Sequence, residues 1–203
     1  MSVIAQIAIM SRSFDAIYLQ TTDHLRHHGC GTYPFGDGEN LIARVAALRP
    51  KRILELGTAL GYTACCFAAA APDAHIDTIE MDQTHVRLAR INLEREGFQN
   101  RVAVHSGKFL SILPQLSSDY DICFFDGFAP DISVFRLLAS HLRLGGVLIC
   151  ANLGLAEFAA QKALKVELSN SSHWHLEAAL EQGGTCVAVK REALSPHNSW
   201  RLK

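Results

Sequence analysis

Three acidic residues stand at or near the ends of apolar, strand-like runs. Glu55 lies in "RILELG", Glu80 closes "HIDTIE", and Asp126 closes "YDICFFD". The first run leads into "ELGTALGYT", where Gly57 and Gly61 let the backbone turn tightly and approach a ligand, since neither carries a Cβ. The spacing is G-x-x-x-G, not the G-x-G-x-x-G of dinucleotide binders. A plain strand-to-helix turn would look the same, so the loop alone defines no ligand. Glu80 narrows the choice, because a carboxylate ending the second strand can accept hydrogen bonds from both hydroxyls of a ribose. Glu55, inside the first turn, opposes a pyrophosphate and suits a cation. A sulfonium nucleoside therefore fits, and an NAD-dependent oxidoreductase is disfavoured. Asp126, followed by Gly127, is a helix cap, a cation ligand or part of an active site.

The elements that must position these residues alternate. Strand-like runs fall at 52–56, 75–80, 102–106, 120–126 and 145–151. Helix-like segments fall near 61–71, 83–96, 108–116, 131–142 and 154–169, preceded by helices near 11–27 and 38–48. In the 83–96 segment Val86, Ala89 and Leu93 repeat at helical spacing, and Pro72 stops the segment before it. Strands that are apolar on both faces and separated by helices imply a parallel sheet covered on both sides. The end differs: "WHLEAAL" and "TCVAVKR" flank a tight "EQGG" and read as an antiparallel hairpin. The expected fold is a doubly wound α/β domain with a mostly parallel sheet, a C-terminal hairpin and N-terminal helices. The chain is read as one domain over 1–203, with N-terminal helices in 1–50, a cofactor-binding core in 51–191 and a tail in 192–203.

Composition agrees with a packed domain. The 203 residues are 49% hydrophobic and 19% charged, with a formal net charge of −1. No dense Lys/Arg block gives the footprint of a dedicated nucleic-acid surface, so DNA is not an expected partner; a tRNA substrate stays open. None of the six cysteines forms a C-x-x-C pair, and three lie in apolar strand-like runs, which reads as reduced thiols in a cytoplasmic protein. "MSVIAQIAIMSR" lacks a basic start and a cleavage site, so it is not read as a signal peptide, and no run approaches a membrane span.

Four motifs in order, "ILELGTALGYTA", "TIEMDQTHVRLARINLEREGFQNRV", "SGKFLSILPQL" and "YDICFFDG", closely resemble the small S-adenosylmethionine-dependent class I O-methyltransferases. That group includes catechol and caffeoyl-CoA O-methyltransferases. The resemblance runs from about Gly36 to Arg191 and implies a Rossmann-like, seven-stranded sheet whose last strand is antiparallel. It implies that Glu55, Gly57, Thr58 and Ala59, with Gly61, line the methionine end of the cofactor. Thr63 stands where the family uses a serine to hold the carboxylate. Glu80 should grip the ribose, Met81 should pack on the adenine, and Gly107, Lys108 and Phe109 should meet the adenine edge. Lys108 and Phe109 are bulkier than usual there, and a core methionine is the alternative for Met81. The product would be S-adenosylhomocysteine and the acceptor a small molecule; relatives are often homodimers.

The family usually holds two substrate oxygens on a divalent metal, which lowers the hydroxyl pKa and aims the nucleophile. Its ligands are an acid ending the fourth strand and an Asp-Asn pair ending the fifth. Asp126 matches the first, and it is also placed beside the cofactor. Ala151 replaces the aspartate, Asn152 remains, and the position of a helpful lysine falls on Ala129. No tightly bound metal is therefore expected. Either the chain methylates through alignment, with Asp126 or a histidine as base, or it binds the cofactor without chemistry. Of the histidines, His27 or His28 in "RHHGC" could reach an acceptor or lie exposed, and His173 and His175 share one face of a solvated strand. Cys65 and Cys66 are read as packing. Asp131 is read as the cap of the following helix, with replacement of a lost metal ligand as the alternative.

Overall fold

The computed structural model describes residues 14–30 and 33–191. The apolar N-terminal segment, positions 11–13 of the first expected helix and the tail at 192–203 lie outside them. Two helices, α1 (Asp15–His28) and α2 (Gly38–Leu48), precede an alternating core. That core runs β1 (Arg52–Leu56), α3 (Tyr62–Ala70), β2 (His75–Glu80), α4 (Gln83–Arg95), β3 (Val102–Ser106) and α5 (Phe109–Ile112). It continues with β4 (Tyr120–Phe125), α6 (Ile132–His141), β5 (Leu142–Cys150), α7 (Phe158–Leu168), β6 (Trp174–Leu176) and β7 (Cys186–Lys190). The seven strands form one sheet in the order β3-β2-β1-β4-β5-β7-β6. All neighbours among β1 to β5 are parallel, and β7 runs antiparallel to both β5 and β6.

Alternation along the strands splits the core in two. Ile53, Ile76, Ile122 and Phe124 pack with α1, α2, α3 and α4. Leu54, Leu56, Cys123 and Phe125 pack with α6, α7 and Trp174 on the other face. Helix α3, "YTACCFAAA", is made of small and apolar residues and is buried through Ala68, which lets it lie close over the sheet. Cys65 and Cys66 are indeed packing residues, and Cys123 and Cys150 are buried too. Helix α4 keeps the expected stripe, with Val86, Ala89 and Leu93 inside, and Asp82 caps it by accepting from the Thr84 and His85 N–H groups. Asp131 caps α6 in the same way through Ser133 and Val134. Among the described residues no helix is long and apolar enough to cross a membrane.

Several boundaries move for local reasons. The expected 108–116 helix is one α-turn followed by a 3-10 turn at Leu113–Gln115, because Pro114 has no N–H to continue the α ladder. Strand β5 starts three residues before the expected 145, since Leu142 pairs with Tyr120 before the register shifts. A 3-10 turn at Leu153–Leu155 delays α7 to Phe158. The hairpin exists, but β6 has only three residues and a 3-10 turn at Glu181–Gly183 closes the connection. His173 falls in the turn before β6, not on the strand, and faces Glu167 at 3.5 Å. His175 instead accepts from Arg191 at 3.1 Å.

Candidate functional site

In a doubly wound sheet the ligand crevice opens at the carboxyl ends of the strands, where the strand order reverses. Here β1 leads outward to β2 and β3 on one side, while β4 and β5 lie on the other. The reversal therefore falls between β1 and β4. Backbone bonds continue the sheet one step past the strand ends: Gly107 N–H to the Glu80 carbonyl, Gly57 to Ile79, Asp126 to Leu56 and Ala151 to Phe125, at 2.8–3.1 Å. These bonds set Gly107, Gly57, Asp126 and Ala151 along one edge, with Gly57 and Asp126 adjacent at the reversal.

That adjacency explains the first glycine. Gly57 has φ +100°, and a Cβ there would sit 2.5 Å from the Asp126 carbonyl oxygen. Gly61, at φ +92°, starts α3. Between them Ala59 takes φ +48°, a left-handed conformation that a side chain adopts at a cost. Its N–H donates to Oε2 of Glu80 at 3.0 Å, which holds the loop in that shape.

Glu80 organises the β2 end as well. Its Oε1 accepts from the Met81 and Asp82 N–H groups, each at 2.9 Å. Burial pushes the Glu80 carboxyl up, but His85 and the Asp82 and Ala59 N–H groups outweigh it, so its pKa lies below the usual value. Met81 is 67% exposed, which removes the core-methionine reading. Beyond β3, Lys108 is exposed and Phe109 is half-buried, its ring edge-on to Phe125 with centroids 6.1 Å apart.

Under the loop lies a second acidic centre. Glu55 is fully buried and accepts from the hydroxyls of Thr63 and Thr78, while Thr58 and Thr78 share a 2.6 Å hydrogen bond. Thr63 was expected to face a ligand carboxylate, yet its hydroxyl proton goes to Glu55. Burial raises the Glu55 carboxyl to about 7, against the two threonine hydrogen bonds and with help from Glu80. Asp126 is raised well above the carboxylate range too, first by burial, then by Glu55 and Glu181, with the Asn152 hydrogen bond opposing. A cation placed here would relieve both acids.

The end of β5 meets Asp126 through Asn152. The Asn152 Nδ2 donates to Asp126 Oδ1 at 3.1 Å and to the Gly127 carbonyl at 2.8 Å. The residue before it, Ala151, is apolar and buried. Glu181 faces Asp126, but it accepts from the Gly36 N–H at 3.1 Å and from Thr185 at 2.5 Å. An octahedral divalent ion needs hard oxygens; here an N–H group is aimed at the one aligned carboxylate. This donor set does not fit the family's metal. The crevice instead brings together a glycine-containing loop, two buried carboxyls with raised pKa values and a third carboxyl at the β2 end.

One cluster escaped the sequence reading. His28 is exposed and stacks on His24, with ring centroids 4.6 Å apart, and lies beside His85. His27 is exposed and bonds its own helix at the Asp23 carbonyl. The H-x-x-x-H-x-C spacing of His24, His28 and Cys30 was the available signal, because residues four apart share a helix face.

Comparison with known proteins agrees with this geometry. A methyltransferase domain model matches residues 54–153. A catechol O-methyltransferase of Niastella koreensis is 36% identical over 107 residues, 50% of this chain and 48% of that protein. One from Mycobacterium tuberculosis is 32% identical over 119 residues, 57% and 54% respectively. The chain thus spans about half the length of these curated relatives. The O-methyltransferase TomG of Streptomyces achromogenes, solved in complex with SAM, shares the fold at TM-score 0.74 and 21% identity, covering 95% of this chain and 100% of that one. The chain is thus similar to a methyltransferase domain and to catechol O-methyltransferases over about half its length, and it shares the seven-stranded fold of a solved O-methyltransferase.

Proposed function

We propose that the protein binds S-adenosylmethionine in the crevice between β1 and β4 and methylates a small-molecule acceptor without a tightly bound metal. The observation that carries this reading is the meeting of Gly57 and Asp126 over the buried Glu55. The Gly57 backbone lies against the Asp126 carbonyl, beside two carboxyls whose pKa values burial raises. When bound, S-adenosylmethionine supplies an electrophilic methyl carbon on a positively charged sulfur.

The chain's own residues then divide the work. Glu80, held by three backbone N–H groups, presents its remaining lone pairs to the ribose hydroxyls. Met81 lies exposed where it can cover an adenine, and Gly107, Lys108 and Phe109 border the same end. Glu55, Gly57, Thr58, Ala59, Gly61 and Thr63 form the methionine end, with the Glu55 carboxylate balancing the sulfonium. Asp126 takes the acceptor's proton at Oδ2 as the new bond to the methyl carbon forms, a task that suits a carboxyl whose basicity burial has raised. Phe128 (71% exposed) and Leu155 (54% exposed), on the loops after β4 and β5, give the acceptor an apolar rim. Alignment, rather than metal activation, must then supply most of the rate, which favours acceptors that are already good nucleophiles.

Release of S-adenosylhomocysteine over a panel of phenols, thiols, amines and tRNA tests this reading. Turnover with a small phenol, thiol or amine supports it. Turnover with tRNA alone would overturn the small-molecule assignment, and binding without turnover on any acceptor would overturn the catalytic one.

A further inference from the structure

Away from the crevice, four side chains with metal-binding chemistry converge. His24, His28, Cys30 and His85 each offer one ligand atom, and these four atoms lie within 4.8 Å of one another. Three come from the end of α1. His24 and His28 continue the buried stripe of Ile17 and Thr21 at steps of three and four residues, so one face of the helix passes from apolar to imidazole. Gly29 then ends the helix at φ +64°, its N–H bonded to the Leu25 carbonyl, and this left-handed cap turns Cys30 back beside the two rings. The fourth residue, His85, is buried in the first turn of α4, and its Nε2 stands 3.1 Å from Nε2 of His24.

We propose that His24, His28, Cys30 and His85 form a tetrahedral site for Zn²⁺ that fastens α1 to α4. Three imidazoles and one thiol are a closed ligand set of the kind structural zinc takes, with all four positions filled by protein. The 3.1 Å approach of two ring nitrogens suits ligands sharing one ion, because bonds of about 2.0–2.1 Å at tetrahedral angles put nitrogen atoms a little over 3 Å apart. The other ring nitrogen of His85 faces a carboxylate, with Nδ1 3.8 Å from Oε1 of Glu80, an ion-pair separation rather than a hydrogen bond. Half-exposed Cys30 and exposed His28 leave an entry path from solvent. Coordination releases the thiol proton of Cys30 to solvent, so the ion and thiolate together carry one positive charge beside Glu80.

The site would add to existing ties between the two helices. Asn92 of α4 already donates to Gln20 of α1 and to the Leu60 carbonyl, both at 2.9 Å. A zinc ion at the far end would fix the pair at two points and hold His85 against Glu80.

Spectroscopic titration of the tag-free full chain with Co²⁺, followed by displacement with Zn²⁺, tests the proposal without reference to activity. The expected result is one equivalent bound, a sulfur-to-cobalt charge-transfer band, and loss of the spectrum when Zn²⁺ is added. Cys30→Ser should abolish that band, and His28→Ala should weaken Zn²⁺ binding by about a hundredfold or more, since loss of a supporting group alone costs 10–100-fold. His28 is exposed, so the variant's fold, checked by circular dichroism, should persist. Absence of the charge-transfer band in the unsubstituted protein, or zinc affinity unaltered in both variants, would overturn the proposal.

Discussion

The amide nitrogen of Asn152 donates to Oδ1 of Asp126 across 3.1 Å, joining the ends of β5 and β4 with an N–H group directed at a carboxylate. In a metal-assisted relative those two strand ends would instead offer oxygens to one ion. Here the amide takes one Asp126 oxygen, and Ala151 brings none.

Methyl transfer should therefore be indifferent to Mg²⁺. Initial rates measured with and without added Mg²⁺ should agree within about twofold. Calorimetric titration of Mg²⁺ at the Asp126 site should show no tight binding. A steep loss of rate with chelator, recovered by Mg²⁺ but not by Zn²⁺, would contradict this.

Glu80→Gln tests the ribose grip at constant shape. Hydrogen bonds to a charged acceptor contribute about 1.5–3 kcal/mol, so cofactor affinity should fall by roughly 10- to 150-fold. Loss of the acceptor for the Ala59 N–H should also loosen the loop. Equilibrium binding of S-adenosylhomocysteine to both forms reads the effect, and equal affinities would remove Glu80 from the site.

The fold and the strand-end acids were legible because they rest on short-range rules. The runs at 52–56, 75–80 and 102–106 are strands over those same residues, since apolar alternation and flanking breakers define them locally. The short β6 and the early start of β5 were not legible, because partner strands and a register shift decide them. Thr63 shows the same limit at the site: its spacing marks the loop, but only tertiary contact gives its proton to Glu55. His85 could not be tied to His24 and His28 by sequence, as some 60 residues separate them; a bend at Gly29 and the docking of α1 bring them together.

Glu55 predicts a pH dependence. Its folded pKa, about 7, lies above the reference value of 4.5, so the fold favours the protonated carboxyl. The stability this contributes is complete below about pH 4.5 and is lost as pH rises through 7. The loss approaches about 3.5 kcal/mol, at about 1.4 kcal/mol for each unit of difference. A bound sulfonium favours the carboxylate instead. Affinity for S-adenosylmethionine should thus rise between pH 5.5 and 7.5 (about the span of that titration). Affinity for S-adenosylhomocysteine, whose sulfur is neutral, should change much less. A constant ratio of the two affinities would contradict the placement of Glu55 near the sulfur.

Gly57→Ala should cost both stability and binding. The left-handed backbone alone costs about 1–3 kcal/mol, and the new Cβ would press on the Asp126 carbonyl from 2.5 Å. Gly97→Ala is the control: its φ is +76°, but nothing lies within 4 Å of the added Cβ. Melting temperatures should fall for both and further for Gly57→Ala, with cofactor binding lost only in the latter. Equal melting shifts would mean that the close approach of β1 and β4 carries no weight.

The central claim is that the crevice between β1 and β4 takes a sulfonium nucleoside. Calorimetric titration of the full chain with S-adenosylmethionine, S-adenosylhomocysteine and NAD tests it most directly. The account predicts one equivalent of each of the first two, weakened by Glu80→Gln, and no binding of NAD. Binding of NAD with no heat from either sulfur nucleoside would contradict it.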